Sequence, residues 1–140
     1  RILELSGSGN DFRNLPIELF VGASDQDARS HVLFGSDGYD HVPISKAVQA
    51  SLSVNPAFSS VPIEGRYYED GAITRTSNFV EAIKRNATLV VTLDPFVPYV
   101  SKLPGVAHRR GVLYNIDQDI RTITFTRFER ARRRRAGVRH

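Results

Sequence analysis

The spacing of the apolar residues changes several times along this chain, and those changes limit the folds it can form. After Pro16, segment 17–23 is short and mostly apolar, which predicts a buried strand. Residues 32–34 predict a second short strand, ended by the Gly-Ser-Asp-Gly turn at 35–38. From Ile44 onward apolar residues recur at spacings of three and four, which predicts a helix over 44–53.

The next segments repeat this mixture of strand and helix patterns. Segments 61–63 and 66–69 predict a small hairpin with its turn at Glu64-Gly65. Asn78 and Glu81 have the spacing of a capping box, which predicts a helix over 78–86. Segment 88–93 is an unbroken β-branched run and predicts a strand covered on both faces. This order favours an α/β layered sheet with flanking helices and at least a partly parallel sheet.

The two ends of the chain differ in pattern from its middle. Residues 1–14 predict a loop or linker, because positions 6–11 are rich in turn-forming residues. Residues 95–110 also predict a loop, and we expect one long amphipathic helix over 111–135, followed by a basic tail at 136–140. The apolar face of that helix is predicted to contain Leu113, Ile116, Ile120 and Ile123, with Phe128 nearby. The chain of 140 residues is sized for one domain.

Composition excludes several classes of function within these residues. The chain has no cysteine, so disulfides and thiolate catalysis are ruled out here. No apolar run is long enough for a transmembrane helix, and the first residues lack the pattern of a signal peptide. The chain begins at Arg1 and contains no methionine, so we expect it to be part of a longer protein. A cytoplasmic or peripheral membrane location is the expectation.

Positive charge is concentrated at the C-terminal end. Residues 127–140 contain seven arginines against Glu129, a balance of +6, so the rest of the chain carries −2 of the net +4. Such a run could contact an anionic phospholipid surface, or it could be a solvated helix end stabilised by the helix dipole. Nucleic acid is not an expected partner, because Phe125 and Phe128 have helix spacing and no groove-reading element accompanies them.

Three segments in order carry a resemblance to a known family. Segment 42–51 is Val-Pro-Ile-Ser-Lys-Ala-Val-Gln-Ala-Ser, segment 55–58 is Asn-Pro-Ala-Phe, and segment 65–72 is Gly-Arg-Tyr-Tyr-Glu-Asp-Gly-Ala. A helix with an Ala-Ser pair, a proline-aromatic turn and a strand ending in Asp-Gly-Ala resemble the C-terminal portion of the patatin-like phospholipase catalytic domain. The resemblance extends from about residue 15 to residue 97 and more loosely into the long helix.

The resemblance implies a serine acyl hydrolase with a serine–aspartate dyad and no cofactor or metal. Asp70 corresponds to the catalytic aspartate, and Gly71 and Ala72 form its supporting turn. The chain has no Gly-x-Ser-x-Gly and no glycine-rich oxyanion loop. We therefore expect the nucleophilic serine upstream or on a companion chain, a lipid ester as substrate, and no activity from this segment alone.

Other interpretations of the same residues remain open at this stage. Asp70 could cap its own turn, as Asp before Gly often does. Ser51 and Ser53 are expected to be core or capping residues, and the four histidines lack metal-ligand spacing. The alternative function is a non-catalytic scaffold or interaction domain whose basic helix contacts a membrane.

Overall fold

A computed structural model of the chain describes residues 9–94 and 97–136. Its internal contacts divide it into two compact units, one ending at Arg75 and the other beginning at Thr76. The first unit contains all the strands found in the described residues, together with one helix. The second contains helices and irregular segments.

The first unit is built on a four-stranded antiparallel sheet. Its strands are β1 (Val21–Asp25), β2 (Ser30–Phe34), β3 (Val61–Ile63) and β4 (Arg66–Asp70), in the spatial order β2-β1-β4-β3. The hairpin β3–β4 is confirmed, with Val61 opposite Tyr68. The expected parallel component is wrong, because every strand pair in the described residues is antiparallel. The fold is thus of mixed α/β content, with a wholly antiparallel sheet.

The first strand begins later than the sequence predicts. Ile17 and Leu19 are exposed, at 79% and 40%, while the strand continues through Ser24 and Asp25. Both polar residues are buried, and each is satisfied by hydrogen bonds, which allows them to replace apolar residues in the centre of the sheet. The predicted strand over 17–23 was placed too early in the sequence, because the polar residues Ser24 and Asp25 continue the strand and do not end it.

One helix covers a face of this sheet. Helix α1 (Ile44–Ser51) buries Ile44, Ala47 and Ala50, a run at spacing three. The helix is confirmed. Its periodicity predicts one apolar face of Ile44, Ala47, Val48 and Leu52, of which Ile44 and Ala47 are buried while Val48 and Leu52 are exposed. The Asn10 side chain accepts from the Ser45 amide at 2.8 Å and satisfies a donor of the first turn.

The core of the first unit draws on every element of that unit. The segment Phe12–Asn14 forms a 3-10 turn, and its Phe12 side chain is part of the core. The predicted loop over 1–14 therefore contains a short ordered turn near its end. Residues 1–8 of that loop lie outside the described residues. The buried apolar residues of the core are Phe12, Ala23, Val32, Phe34, Val42, Ile44, Ala47, Ala50, Val61 and Tyr68.

The second unit contains three helices in its described residues. They are α2 (Phe79–Lys84), α3 (Val106–Arg109) and α4 (Val112–Ala136). The predicted capping box is wrong, because the Asn78 side chain makes no capping hydrogen bond to this helix, and Ser77 Oγ instead accepts from the Phe79 amide at 3.4 Å. Helix α3 interrupts the predicted loop 95–110, of which residues 95 and 96 lie outside the described part. The basic tail beyond Ala136 lies outside it too.

The predicted strand over 88–93 is wrong. Leu89, Val91 and Leu93 are 80%, 76% and 89% exposed, and the segment is irregular. A β-branched run becomes a strand only beside a partner strand, because cross-strand pairs supply the stabilisation. The described residues of the second unit contain no other strand, so the run has nothing within that unit to pair with.

Helix α4 also departs from its predicted packing. Its length is as expected, but Leu113, Ile116, Ile120 and Ile123 are exposed. The contacts made within the unit lie elsewhere on the helix, where the Phe128 ring meets the Phe79 ring edge-on with centroids 5.9 Å apart. The expected apolar face is therefore left uncovered by the described residues.

Replacing Phe34 by Ala should destabilise the first unit severely. Its side chain is fully buried and contacts the rings of Tyr39 and Tyr68, so truncation leaves a cavity costing about 3–5 kcal/mol. Phe58→Ala is the matched control, because Phe58 is 62% exposed and should change the free energy of unfolding by less than about 0.5 kcal/mol. Urea unfolding followed by circular dichroism compares the two, and equal effects would contradict this core.

Candidate active site at the end of strand β4

Asp70 is the last residue of β4, and its backbone is held from both sides. Its amide donates to the Ser53 carbonyl at 3.0 Å, which ties the strand end to the residues after α1. Its carbonyl accepts from Ser24 Oγ at 2.8 Å, and Asp70 lies opposite Ala23 of β1. The position of this residue is therefore fixed by the sheet and by α1 together.

The Asp70 side chain is half-buried and only partly satisfied. Oδ1 accepts from the Ala72 amide at 2.6 Å, so the carboxylate caps the 3-10 turn Gly71–Ile73. Among the described residues nothing donates to Oδ2. Burial raises the pKa of Asp70 above its ordinary value, and the Ala72 amide opposes that effect only in part. The result is a fixed carboxylate with one free oxygen and increased basicity.

Gly71 is required by close contact between two backbones. A Cβ at this position would lie 2.5 Å from the Gly22 carbonyl oxygen and 2.8 Å from the Gly22 carbonyl carbon. Both atoms belong to β1, so a larger residue would push the turn away from the sheet. The turn after Asp70 therefore lies directly against the central strand.

A chain of three side chains supports the Asp70 carbonyl. Ser24 Oγ lies 2.7 Å from Thr74 Oγ1, which lies 3.0 Å from His31 Nδ1. The Ser24 hydroxyl donates to the Asp70 carbonyl, and the single Thr74 hydroxyl proton has two acceptors within reach, Ser24 Oγ and the Gly71 carbonyl at 3.3 Å. These contacts link His31 on β2, through Thr74 and Ser24, to the backbone of Asp70.

Sequence reasoning identified the carboxylate but not this network. The sequence predicts a surface or loop position for His31, whereas His31 is partly buried on β2 and contacts Thr74. Ser24 and Thr74 lie far from it in the sequence and form no motif. Only the pairing of β1 with β2 and β4 brings them together, so no local signal could have shown it.

Other candidate residues have structural roles. Ser53 is buried and donates to the Gln49 carbonyl at 2.8 Å, as expected for a capping serine. Asp25 closes a turn by accepting from the Asp27 and Ala28 amides, and Arg66 Nη1 approaches its other oxygen at 2.5 Å. The Ala28 amide and Arg66 lower the pKa of Asp25 despite its burial. No group of ligands suited to a metal occurs within 9–94 and 97–136.

An open groove of about 720 Å³ lies between α1 and β3. Leu52, Phe58, Val61 and Pro62 supply its apolar lining, and Lys46 lies on its wall. Ser53 links it to Asp70, because the Ser53 carbonyl that accepts from the Asp70 amide belongs to a groove residue. One backbone hydrogen bond therefore joins Asp70 to a groove residue, and Asp70 itself does not line the groove.

Comparison with known proteins adds no relative. No family model matches the chain, and no curated protein matches it. None of the helices in the described residues is both long enough and apolar enough to cross a membrane. The arguments for function therefore rest on the geometry around Asp70 and on the resemblance in the sequence.

Asp70→Asn should raise the free energy of unfolding at neutral pH. The amide keeps an oxygen for the Ala72 amide but carries no charge to desolvate. Because burial raises the folded-state pKa, the charge penalty is absent below the ordinary pKa of about 3.9 and complete above the folded-state pKa. The gain of the variant should therefore shrink as the pH is lowered, measured by urea unfolding at several pH values. A variant less stable than the wild type at neutral pH would contradict this.

Asp25→Asn is the matched control and should have the opposite sign. Its folded-state pKa is lowered, so its contribution is present above the unfolded pKa and lost as the pH falls through the folded pKa. Arg66 is more than half exposed and Asn keeps one oxygen for the turn amides, so losing the charge should cost about 1.5 kcal/mol at neutral pH. The difference in the free energy of unfolding between Asp25→Asn and the wild type should also become smaller as the pH is lowered.

Proposed function

We propose that this chain is the carboxylate-bearing part of a patatin-like lipid acyl hydrolase, in which Asp70 is the general base. The observation that supports the proposal most is the Asp70 side chain, half-buried at a strand end with one oxygen held and the other free. A general base needs a free lone pair, a fixed position and a pKa raised towards the working pH. This carboxylate has all three.

In the proposed mechanism, Asp70 first accepts a proton from a serine hydroxyl and then returns that proton to the leaving alcohol. As a serine hydroxyl attacks the ester carbonyl, its proton passes to Asp70 Oδ2 and the carbonyl oxygen becomes an oxyanion. The leaving alcohol then takes that proton as the acyl–serine ester forms, and water repeats the exchange to release the acid. The serine in Gly-x-Ser-x-Gly and the amides for the oxyanion are not in this chain, so they must come from an upstream segment or a companion chain.

The groove beside α1 is the proposed site for the acyl chain. Its apolar residues offer a surface on which methylene groups leave water, each worth about 0.8 kcal/mol when buried. The hydrogen bond from the Asp70 amide to the Ser53 carbonyl supports this assignment, because Ser53 lines the groove. Phospholipids and related lipid esters are the substrate class that fits this combination.

Asp70→Ala should reduce ester turnover at least about a hundredfold in the protein that joins this chain to its Gly-x-Ser-x-Gly segment, because the general base is lost. A short-chain nitrophenyl ester gives the readout. Asp70→Asn should lose as much, since it keeps the cap on Ala72 but accepts no proton from the serine. The exposed Asp27→Ala should retain activity. A loss in Asp70→Ala without one in Asp70→Asn would reduce Asp70 to a structural role.

Phe58→Ala should alter the preference for acyl length. In the same joined protein we expect kcat/KM for an octanoyl ester to fall about tenfold relative to a butyryl ester, a change of 1.4 kcal/mol. Tyr67→Ala is the matched aromatic control, because Tyr67 is also half exposed but does not line the groove. If both variants shift the ratio equally, the groove is not the acyl site.

A second candidate function is a non-catalytic interaction module, and one observation favours it. The apolar residues of α4 that were expected in a core are exposed. An anionic membrane surface is one partner that the arginines of this helix would suit.

A further inference from the structure

Two hydroxyl side chains, Ser24 and Thr74, join β1 to both ends of the turn that follows Asp70. Ser24 is buried in β1 and donates to the Asp70 carbonyl at 2.8 Å, just before the turn. Thr74 is the residue after the turn Gly71–Ile73, and its Oγ1 lies 2.7 Å from Ser24 Oγ. The proposed proton transfer uses neither hydroxyl, so these two side chains need a separate explanation.

The two hydroxyls hold the turn where the strand ladder has ended. The described pairing of β1 with β4 ends at Asp70. Beyond it, the close contact of Gly71 with β1 limits how near the turn comes but does not stop the turn from moving away. Hydrogen bonds resist that movement, and Ser24 and Thr74 provide them.

The direction of the Asp70 carboxylate depends on this turn. Its Oδ1 accepts from the Ala72 amide at 2.6 Å, and that amide lies in the middle of the turn. If the turn shifts, the amide and the oxygen bonded to it shift together. The position of Oδ2, the proposed proton acceptor, therefore follows from how firmly the turn is held to β1.

We propose that Ser24 and Thr74 are positioning residues for the general base. This inference rests on the proposed function of Asp70 and extends it to two residues that touch neither the substrate nor the transferred proton. Their hydroxyls hold the turn against β1, so that the carboxylate keeps one oxygen on the Ala72 amide and presents the other in a fixed direction.

Loss of these hydroxyls should have two measurable consequences. Misplacing a catalytic contact by about 1 Å costs up to about a hundredfold in rate, so a loosened turn should lower kcat about tenfold. A turn that lifts from the sheet also admits water to a half-buried carboxylate. Because burial is what raises the pKa of Asp70, that pKa should then fall towards the ordinary aspartate value.

The first test needs only this chain. Carbon-detected NMR titration follows the Asp70 carboxyl separately from Glu69 and His31, the titratable groups that lie opposite Ser24 on the two neighbouring strands. Thr74→Val removes the hydroxyl with little change in shape, and it should lower the pKa of Asp70. Thr74→Ser keeps the hydroxyl and should leave that pKa as it is in the wild type.

Two further variants complete this test. Ser36→Ala is the matched control, because Ser36 donates to the Leu33 carbonyl at 2.6 Å and its loss removes a bond of the same kind in the turn after β2. It should leave the Asp70 pKa unchanged. Ser24→Ala should act as Thr74→Val does, and thermal unfolding first checks that this buried substitution still folds.

The second test measures ester turnover in the protein that joins this chain to its Gly-x-Ser-x-Gly segment. Thr74→Val should lower kcat about tenfold, leave KM for a short-chain nitrophenyl ester within about twofold, and move the acid limb of the pH profile to lower pH. Thr74→Ser and Ser36→Ala should leave all three unchanged. Partial unfolding alone would lower kcat by the same factor along the acid limb and would not move it.

The two tests separate this inference from the function on which it rests. An unchanged Asp70 pKa in Thr74→Val would overturn the positioning role whether or not the joined protein hydrolyses esters, and so would equal shifts in Thr74→Val and Ser36→Ala. Loss of turnover in Asp70→Ala with a wild-type kcat and acid limb in Thr74→Val would leave the base in place and remove its positioning residues. Full turnover in Asp70→Ala would overturn the proposed function itself, and this inference with it.

Discussion

The close approach of Gly71 to Gly22 is the contact on which the site depends. Without a Cβ at Gly71 the turn after β4 rests on the backbone of β1, and any other residue would push it off. That approach brings Thr74 within reach of Ser24, whose hydroxyl then holds the Asp70 carbonyl. The absence of a side chain at Gly71 therefore helps to fix the position of Asp70, the proposed general base.

Two carboxylates on the same pair of strands show how a fold makes one aspartate structural and another reactive. Asp25 is buried but accepts from two amides and from Arg66, so its charged form is stabilised and its pKa is lowered. Asp70 is less buried yet accepts from one amide alone, so burial dominates and its pKa is raised. The difference lies in the number of donors that reach each carboxylate.

The sequence predicted elements whose stability is local and failed where the outcome depended on distant partners. The hairpin 61–70 was found because its turn and strands are adjacent, and α1 was found from its periodicity. Segment 88–93 has the composition of a strand but no neighbouring strand in its unit's described residues, so it remains irregular despite its high β-propensity. Asp70 was found through a motif, whereas the chain from His31 to Ser24 exists only because β1 pairs with both β2 and β4.

The two units differ in how they are stabilised. Among its described residues, the first has a core of ten buried apolar residues. In the second, no side chain described over 76–94 and 97–134 is fully buried, and α4 relies on pairs along its own surface such as Asp117–Arg121. Each such pair contributes only about 0.3–0.5 kcal/mol. The first unit is therefore stabilised mainly by burial, whereas α4 depends on its backbone hydrogen bonds and on weak pairs along its own surface.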